Sequence, residues 1–199
     1  QHVDQLIGEL WQRLNNEVEV PVNLILVSDH GMTPIKADQM IDEDSLPVDK
    51  SLFETVNSQT RFMLYAKEDT TDEQIAAQRE RLLKLPNKTF SVESNQVLSS
   101  LGVKPGPRKA DITLTAKAPV TFTGRPPERR KDGGTHGFYG SRDMDGIFIT
   151  AGPAINANAE LDRFSNIHIY PFMAELLGLE LMTKIDGDSE LLAPLIDND

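Results

Sequence analysis

The stretch that decides the fold is NLILVSDHGM at residues 23–32. Its first part, with Pro21 and Val22 before it, is an apolar run of strand length, which is typical of a strand buried on both faces of a sheet. An amphipathic helix is predicted before it over residues 2–15, because apolar side chains recur there at helical spacing. A helix followed by a buried strand predicts an α/β fold.

The polar end of the same stretch, Asp29 and His30, supplies the first candidate site residues. Parallel α/β sheets bind ligands beyond the carboxyl ends of their strands. A carboxylate and an imidazole on one turn can both ligate a hard or borderline cation, and Gly31 allows the chain to turn sharply after them. The alternative is a helix N-cap aspartate beside an exposed histidine.

Three further histidines are present. His136 lies in GGTHG at residues 133–137, where the glycines allow close approach to a ligand but equally suit an ordinary loop. His168 has apolar neighbours, which favours a structural role, and His2 lies near the end of the chain. The hydroxyl residues near these candidates are Ser28, Thr33 and Thr135. None has the strand-to-helix spacing that places the nucleophile of a serine hydrolase.

Composition restricts the chemistry. The 199 residues, 39% hydrophobic, suit one globular domain, and the net charge of −11 argues against binding to nucleic-acid polymers. No cysteine is present, so any metal would be held by histidine, carboxylate or hydroxyl groups. No apolar run approaches the roughly 20 residues of a transmembrane helix. Because the chain begins with Gln1, we expect a processed product or a fragment.

The middle of the chain predicts a small inserted α+β subdomain at residues 52–118. Its predicted elements are strands at 60–66, 88–92 and 110–116 and a helix at 72–85 with Thr71 as N-cap. Residues 36–58 are predicted to be a long surface segment, and residues 119–134, which contain a basic cluster from Arg125 to Lys131, a loop. That cluster suits either a solvated surface or an anionic substrate. A strand at 146–150 and a helix at 166–177, capped by Gly178, are predicted to follow.

Three stretches together resemble the type I phosphodiesterase/nucleotide pyrophosphatase family of the alkaline phosphatase superfamily: residues 23–32, GTHGF at 134–138, and residues 144–153. The tail at 166–179 and IDGD at 185–188 resemble bacterial members. The resemblance implies an alkaline phosphatase-like α/β sheet with helices on both faces, present here in part. Residues 1–35 and 135–199 would be the C-terminal part of the metal-binding domain, with 52–118 inserted and 119–134 a loop.

The same resemblance implies two zinc ions. Asp29 and His30 match ligands of one zinc, and His136 matches a ligand of the other. The remaining ligands and a threonine nucleophile belong to family segments upstream of this sequence. We therefore expect a C-terminal half whose partner is the N-terminal half of the same enzyme, and which is inactive alone.

The implied activity is zinc-dependent hydrolysis of phosphodiester or pyrophosphate bonds in small molecules, nucleotides above all. The alternatives are hydrolysis of phosphate monoesters, phosphonates or lipid headgroups on the same scaffold, or a non-catalytic domain that binds a partner. The family implies a periplasmic or secreted location. This chain has Phe138, Tyr139 and Gly140 where members often have tyrosine, aspartate and asparagine, so the neighbouring substrate pocket is expected to differ.

Overall fold

A computed structural model describes residues 1–86 and 89–197. The chain divides into two compact units, one formed by Gln1–Ser28 with Ile147–Asp199 and the other by Asp29–Gly146. The mixed α/β class predicted from the sequence is confirmed. The domain boundaries predicted at residues 35 and 135 stay a prediction.

The helices are α1 (His2–Glu17), α2 (Asp72–Leu83), α3 (Asn95–Ser100) and α4 (Ile169–Leu176). The strands are β1 (Leu24–Val27), β2 (Thr33–Ile35), β3 (Met40–Asp42), β4 (Phe53–Asn57), β5 (Arg61–Ala66), β6 (Phe90–Val92), β7 (Ile112–Ala116), β8 (Thr121–Thr123), β9 (Gly133–Thr135) and β10 (Phe148–Ala151).

The first unit contains α1, β1, β10 and α4. The predicted first and last helices are confirmed, and Gly178 adopts the positive φ of 63° that commonly ends a helix. Its core consists of Ile155, Phe172, Leu192 and Leu195. No residue of α1, all of which the structure describes, is buried.

β1 differs from the sequence prediction. It pairs antiparallel with β10, Val27 lying opposite Phe148, and its residues are half-buried to exposed. β10 is its only strand partner among the described residues. Burial on both faces was therefore a wrong expectation for this chain, because no residue of β1 is buried and Val27 is 47% exposed.

The second unit is built on a four-stranded antiparallel sheet in the order β4-β5-β7-β6. Its core includes Phe53, Phe62, Leu64 and Leu114 from the sheet and Leu82 from α2. The strand predictions at 60–66 and 110–116 are confirmed. The strand predicted at 88–92 is found as β6, and its first residue, Lys88, lies outside the described residues.

Helix α2 begins as predicted. The Thr71 hydroxyl accepts a hydrogen bond from the Gln74 backbone, and the Gln74 side chain accepts one from the Thr71 backbone. This capping box satisfies two backbone N–H groups at the start of the helix. The sequence analysis missed α3, which has only six residues and is capped by Ser94.

Two stretches predicted to lack regular structure contain short strands. β3, within residues 36–58, pairs in parallel with β8, within residues 119–134, and β8 is buried. Phe53 at the start of β4 is only 2% exposed, so the surface prediction is wrong there. Three-residue strands carry too little periodicity to be detected, and β3 and β8 form through pairing distant in sequence.

One further ladder leads to the candidate site. β2 and β9 pair antiparallel, and Thr33 lies opposite Thr135. The ladder brings the segment after Asp29 and His30 beside the segment that precedes His136.

Candidate metal centre

Asp29 and His30 form the turn that begins the second unit. Asp29 Oδ1 accepts a 2.9 Å hydrogen bond from the His30 backbone N–H. On the imidazole, Nδ1 lies 2.7 Å from the Gly31 carbonyl oxygen, and Nε2 lies 3.2 Å from Asp29 Oδ2. Strand β2 follows rather than a helix, so the alternative of a helix N-cap at Asp29 is wrong.

These contacts indicate how the His30 ring is oriented. A carbonyl oxygen only accepts hydrogen bonds, so Nδ1 carries a hydrogen and donates it to Gly31. In the neutral ring Nε2 then presents a lone pair beside Asp29 Oδ2, and two acceptors at 3.2 Å need a positive species between them. Two ligand atoms of a tetrahedral zinc lie about 3.3–3.5 Å apart. The spacing of His30 Nε2 and Asp29 Oδ2 therefore suits a shared metal cation as well as a shared proton.

His136 follows β9 directly. Its ring stacks on that of His30, with centroids 3.8 Å apart and planes inclined by 17°. The structure thus brings together the two histidines that the sequence analysis selected from distant motifs, with Asp29 beside the first of them.

The donor set is small. Across residues 1–86 and 89–197, no group of three or more histidine, aspartate and glutamate side chains is arranged to hold a metal by itself. Zinc sites in proteins use three or four protein ligands. Asp29, His30 and His136 therefore fit zinc in ligand type, and further ligands would be needed to complete a coordination sphere.

The turn that carries His30 is fixed from one side by residues 141–145. The Gly31 N–H donates to the Met144 carbonyl at 3.1 Å, and the buried Thr33 hydroxyl donates to Asp143 Oδ2 at 3.1 Å. A Cβ on Gly31 would lie 2.0 Å from the Asp143 carbonyl oxygen. Glycine is required here by this close backbone approach, and not by its φ, which lies outside the left-handed region.

The segment that carries His136 is fixed from another side. The Thr135 hydroxyl donates to Gln59 Oε1 at 3.0 Å, and Gly137, with φ of 94°, lies against Thr60. Sequence reasoning missed Gln59 and Asp143, because each acts through a partner far away in the chain. No local pattern in the sequence marks either residue.

The residues of the basic cluster at 125–131 differ in exposure and in their contacts. Arg130 is 12% exposed, and its guanidinium donates to Asp42 Oδ2 at 2.6 Å and to the Arg125 carbonyl at 2.9 Å. It therefore ties the segment to the end of β3. Arg129 and Lys131 are exposed.

A second ion pair closes the end of the β2–β9 ladder. Lys36 Nζ lies 2.7 Å from Asp132 Oδ2, and the Ala37 N–H donates to Asp132 Oδ1 at 3.0 Å. The hydrogen bond from Lys36, with that from Ala37, holds the pKa of Asp132 below its usual range. The same pair raises the pKa of Lys36.

The remaining candidates have structural contacts. His168 Nδ1 accepts a 2.9 Å hydrogen bond from the Asp188 N–H, in agreement with the structural role favoured for it. The Ser28 hydroxyl accepts from the Ile147 N–H at 2.9 Å. With Thr33 and Thr135 donating as described, all three hydroxyl groups considered from the sequence are engaged in holding the fold.

Comparison with known proteins assigns the family. Residues 1–139 match the family described as "Type I phosphodiesterase / nucleotide pyrophosphatase". The match covers more than half of the chain, so the chain belongs to this family. It is also 26% identical over 208 residues to ectonucleotide pyrophosphatase/phosphodiesterase family member 7 of Rattus norvegicus, covering 98% of this chain and 44% of that protein.

Solved structures agree on the fold. Human ectonucleotide pyrophosphatase/phosphodiesterase 5 superposes with a TM-score of 0.83 at 23% identity, covering 98% of this chain and 51% of that one. An inactive form of murine ectonucleotide pyrophosphatase/phosphodiesterase 5 in complex with AMP gives a TM-score of 0.81, also at 23% identity. The chain has the fold of these proteins and spans about half the length of the relatives named here.

Proposed function

We propose that this chain contributes Asp29, His30 and His136 to a two-zinc centre that hydrolyses phosphodiester or pyrophosphate bonds, with nucleotides as substrates. The observation that carries the proposal is the stacking of His30 on His136 at 3.8 Å, with Asp29 Oδ2 3.2 Å from Nε2 of His30. Membership of the phosphodiesterase family supports the same reaction.

The chain's own residues orient the ligands. The Gly31 carbonyl accepts the Nδ1 hydrogen of His30, as is usual for metal-bound histidine, and Nε2 then lies beside Asp29 Oδ2 as the second donor atom of the pair. Asp29 supplies carboxylate oxygens, and the absence of cysteine leaves nitrogen and oxygen ligands only. When bound, two zinc ions would activate a hydroxyl nucleophile and stabilise the charge that develops on the phosphoryl group.

The substrate assignment rests on the relatives. Their names include nucleotide pyrophosphatase, and the murine structure holds AMP. Tyr139, 73% exposed and two residues beyond Gly137, stands where the family often has aspartate. We therefore expect the details of substrate preference to differ from those of members with the common pattern.

The threonine nucleophile and the other zinc ligands are proposed to lie in an N-terminal half of the same enzyme. The chain covers 44% of one relative and 51% of a solved structure, which supports a second part of comparable length. The first unit also exposes many large apolar side chains, among them Leu6, Leu10 and Ile149. Such a surface is typical of an interface, and we propose that the N-terminal half covers it. By itself the 199-residue chain is then inactive and binds zinc weakly.

We further propose that the enzyme works outside the cytoplasm, in the periplasm or as a secreted protein. The name of the curated relative describes an ectoenzyme. As a separate finding that does not bear on location, the helices within residues 1–86 and 89–197 include no candidate membrane span. The resemblance of the tail to bacterial members stays a prediction.

The experiment is hydrolysis by the full-length protein of a nitrophenyl nucleotide diester and of nitrophenyl phosphate, before and after metal removal. We expect the protein to hydrolyse the diester faster than the monoester, to lose this activity when a chelator removes the metal, and to regain it when zinc is added. His30→Ala and His136→Ala should each lower kcat/KM by more than about 100-fold, the upper range for changes that only support a ligand. His2→Ala, an exposed histidine on α1, is the matched control and should change nothing.

Other outcomes separate the alternatives. Preference for the monoester keeps the metal centre and makes the protein a phosphatase. If zinc binds but neither substrate is hydrolysed, phosphonates and lipid headgroups become the substrates to test. Full activity of both His30→Ala and His136→Ala would overturn the site, and binding of no zinc would favour a non-catalytic domain.

A further inference from the structure

The turn between β4 and β5 touches the residues on both sides of His136. On one side, Thr135, which is 8% exposed, donates its hydroxyl hydrogen to Gln59 Oε1 at 3.0 Å. On the other side, a Cβ at Gly137 would lie 2.8 Å from the hydroxyl oxygen of the buried Thr60. The position of the His136 backbone is therefore set by this turn.

Gln59 has an unusual conformation. Its φ of 67° makes it the only residue other than glycine with a positive φ in the part of the chain that the structure describes. Two hydrogen bonds hold its backbone: its N–H donates to Asn57 Oδ1 at 2.8 Å, and its carbonyl accepts from the Phe122 N–H at 2.7 Å. Left-handed backbone is disfavoured for side chains of this type, and glycine adopts it without strain.

The backbone of the turn therefore does not need a glutamine. What the glutamine adds is the amide oxygen that accepts from Thr135. Strained residues that other contacts hold in place are concentrated at functional sites, and the direction of this inference is from the observed φ to a role.

We propose that Gln59 is a positioning residue for His136. Its amide oxygen fixes the Thr135 side chain, and with it the end of β9 from which the His136 imidazole reaches His30. This inference rests on the proposed function, since it assigns Gln59 to the support of one zinc ligand. Residues that hydrogen-bond a metal ligand directly typically change metal affinity by about 10–100-fold, and for a contact to the neighbouring residue we expect the lower end of that range.

The role has a specific consequence. By resemblance, His136 ligates one zinc while Asp29 and His30 ligate the other. Loss of the Gln59 contact should therefore weaken one of two zinc equivalents and leave the second unchanged. A general loss of stability would weaken both.

The test is zinc titration of the metal-free full-length protein against a chromophoric chelator, with thermal unfolding measured alongside. Gln59→Gly removes the acceptor and relieves the backbone, so we expect an unchanged or higher Tm without metal and an affinity for one zinc lowered about 10-fold. Gln59→Glu keeps an acceptor oxygen at the same reach and should restore most of that affinity. Thr135→Val removes the hydrogen-bond donor and should lower the same zinc affinity. Because both substitutions break one contact, the double variant Gln59→Gly with Thr135→Val should bind that zinc no more weakly than the single variant with the lower affinity.

The results that overturn the proposal are distinct. Unchanged affinity for both zinc ions in Gln59→Gly or Thr135→Val means that the contact only holds the fold. If Gln59→Gly and Gln59→Glu lower the zinc affinity equally, the acceptor oxygen of Gln59 does not account for the effect. If Gln59→Gly does not fold, Thr135→Val and Gln59→Glu decide the matter. A wild-type protein that binds zinc without hydrolysing any ester contradicts the proposed function alone, whereas one that binds no zinc contradicts both.

Discussion

The imidazole rings of His30 and His136 are stacked at 3.8 Å although they belong to distant parts of the sequence. The three-residue ladder of β2 and β9 joins their segments. The ladder is fixed from both sides, because Thr33 donates to Asp143 and Thr135 donates to Gln59. The geometry of the candidate site therefore depends on a few side-chain contacts, and substitutions at these contacts are informative.

Gly31→Ala tests the close approach behind the Asp29–His30 turn. The new Cβ would lie 2.0 Å from a backbone oxygen of Asp143, so the two segments must separate. We expect a loss of about 1–3 kcal/mol in the free energy of unfolding by urea. Gly133→Ala on β9 meets no atom within 4 Å and is the control, with an expected change below about 1 kcal/mol. Equal effects of the two substitutions would contradict this account.

Arg130→Ala tests whether the basic cluster holds the fold. The Arg130 side chain is 12% exposed and donates to Asp42, so its loss leaves a partly buried carboxylate without this partner. We expect the free energy of unfolding to fall by about 1.5–3 kcal/mol, the range for hydrogen bonds to charged groups. Arg129→Ala, at an exposed neighbour, should change it by less than about 0.5 kcal/mol. If Arg129→Ala raises KM while the free energy of unfolding stays unchanged, the result would instead support a substrate role for the cluster.

Elements with strong local signals could be predicted from the sequence. The start of α2 was predicted correctly because Thr71 and Gln74 form a capping box within four residues. The strand β5 was predicted correctly because its apolar residues lie in one run. Asp29, His30 and His136 were selected through motifs, and the structure brings the two histidines into contact.

The missed features depend on distant partners. β3 and β8 are three residues long and form only by pairing with each other, so neither has a detectable period. Gln59 looks like one residue of a polar turn, and its acceptor role exists only because β9 carries Thr135 to it. β1 has the composition of a strand buried on both faces, but its residues are half-buried to exposed in this chain.

Asp132→Asn tests the ion pair at the end of the β2–β9 ladder. The Lys36 and Ala37 hydrogen bonds lower the pKa of Asp132, so the ionised carboxylate stabilises the folded state above the usual aspartate range, and this contribution is lost as the pH falls through the lowered pKa. Asparagine keeps the shape without the charge. We expect a lower Tm for the variant at pH 7 and a difference from wild type that disappears as the pH falls through the lowered pKa of Asp132. Asp69→Asn, at an exposed aspartate of the same unit, is the control, and a difference that persists in strong acid would assign the effect to something other than charge.

The apolar face of α1 tests the proposed N-terminal half. Leu6 and Leu10 are 49% and 51% exposed, so replacing both by glutamine should change the free energy of unfolding of the 199-residue chain only slightly, as measured by urea unfolding. In the full-length protein the same pair of substitutions should lower the free energy of unfolding by about 0.8–1.5 kcal/mol for each leucine, roughly half the value for full burial, because only the exposed half of each side chain would be covered by the other half of the protein. Gln12→Ala, another substitution on α1, is the control in both proteins. If Leu6→Gln with Leu10→Gln has the same small effect on the full-length protein as on the chain alone, the N-terminal half does not cover this face.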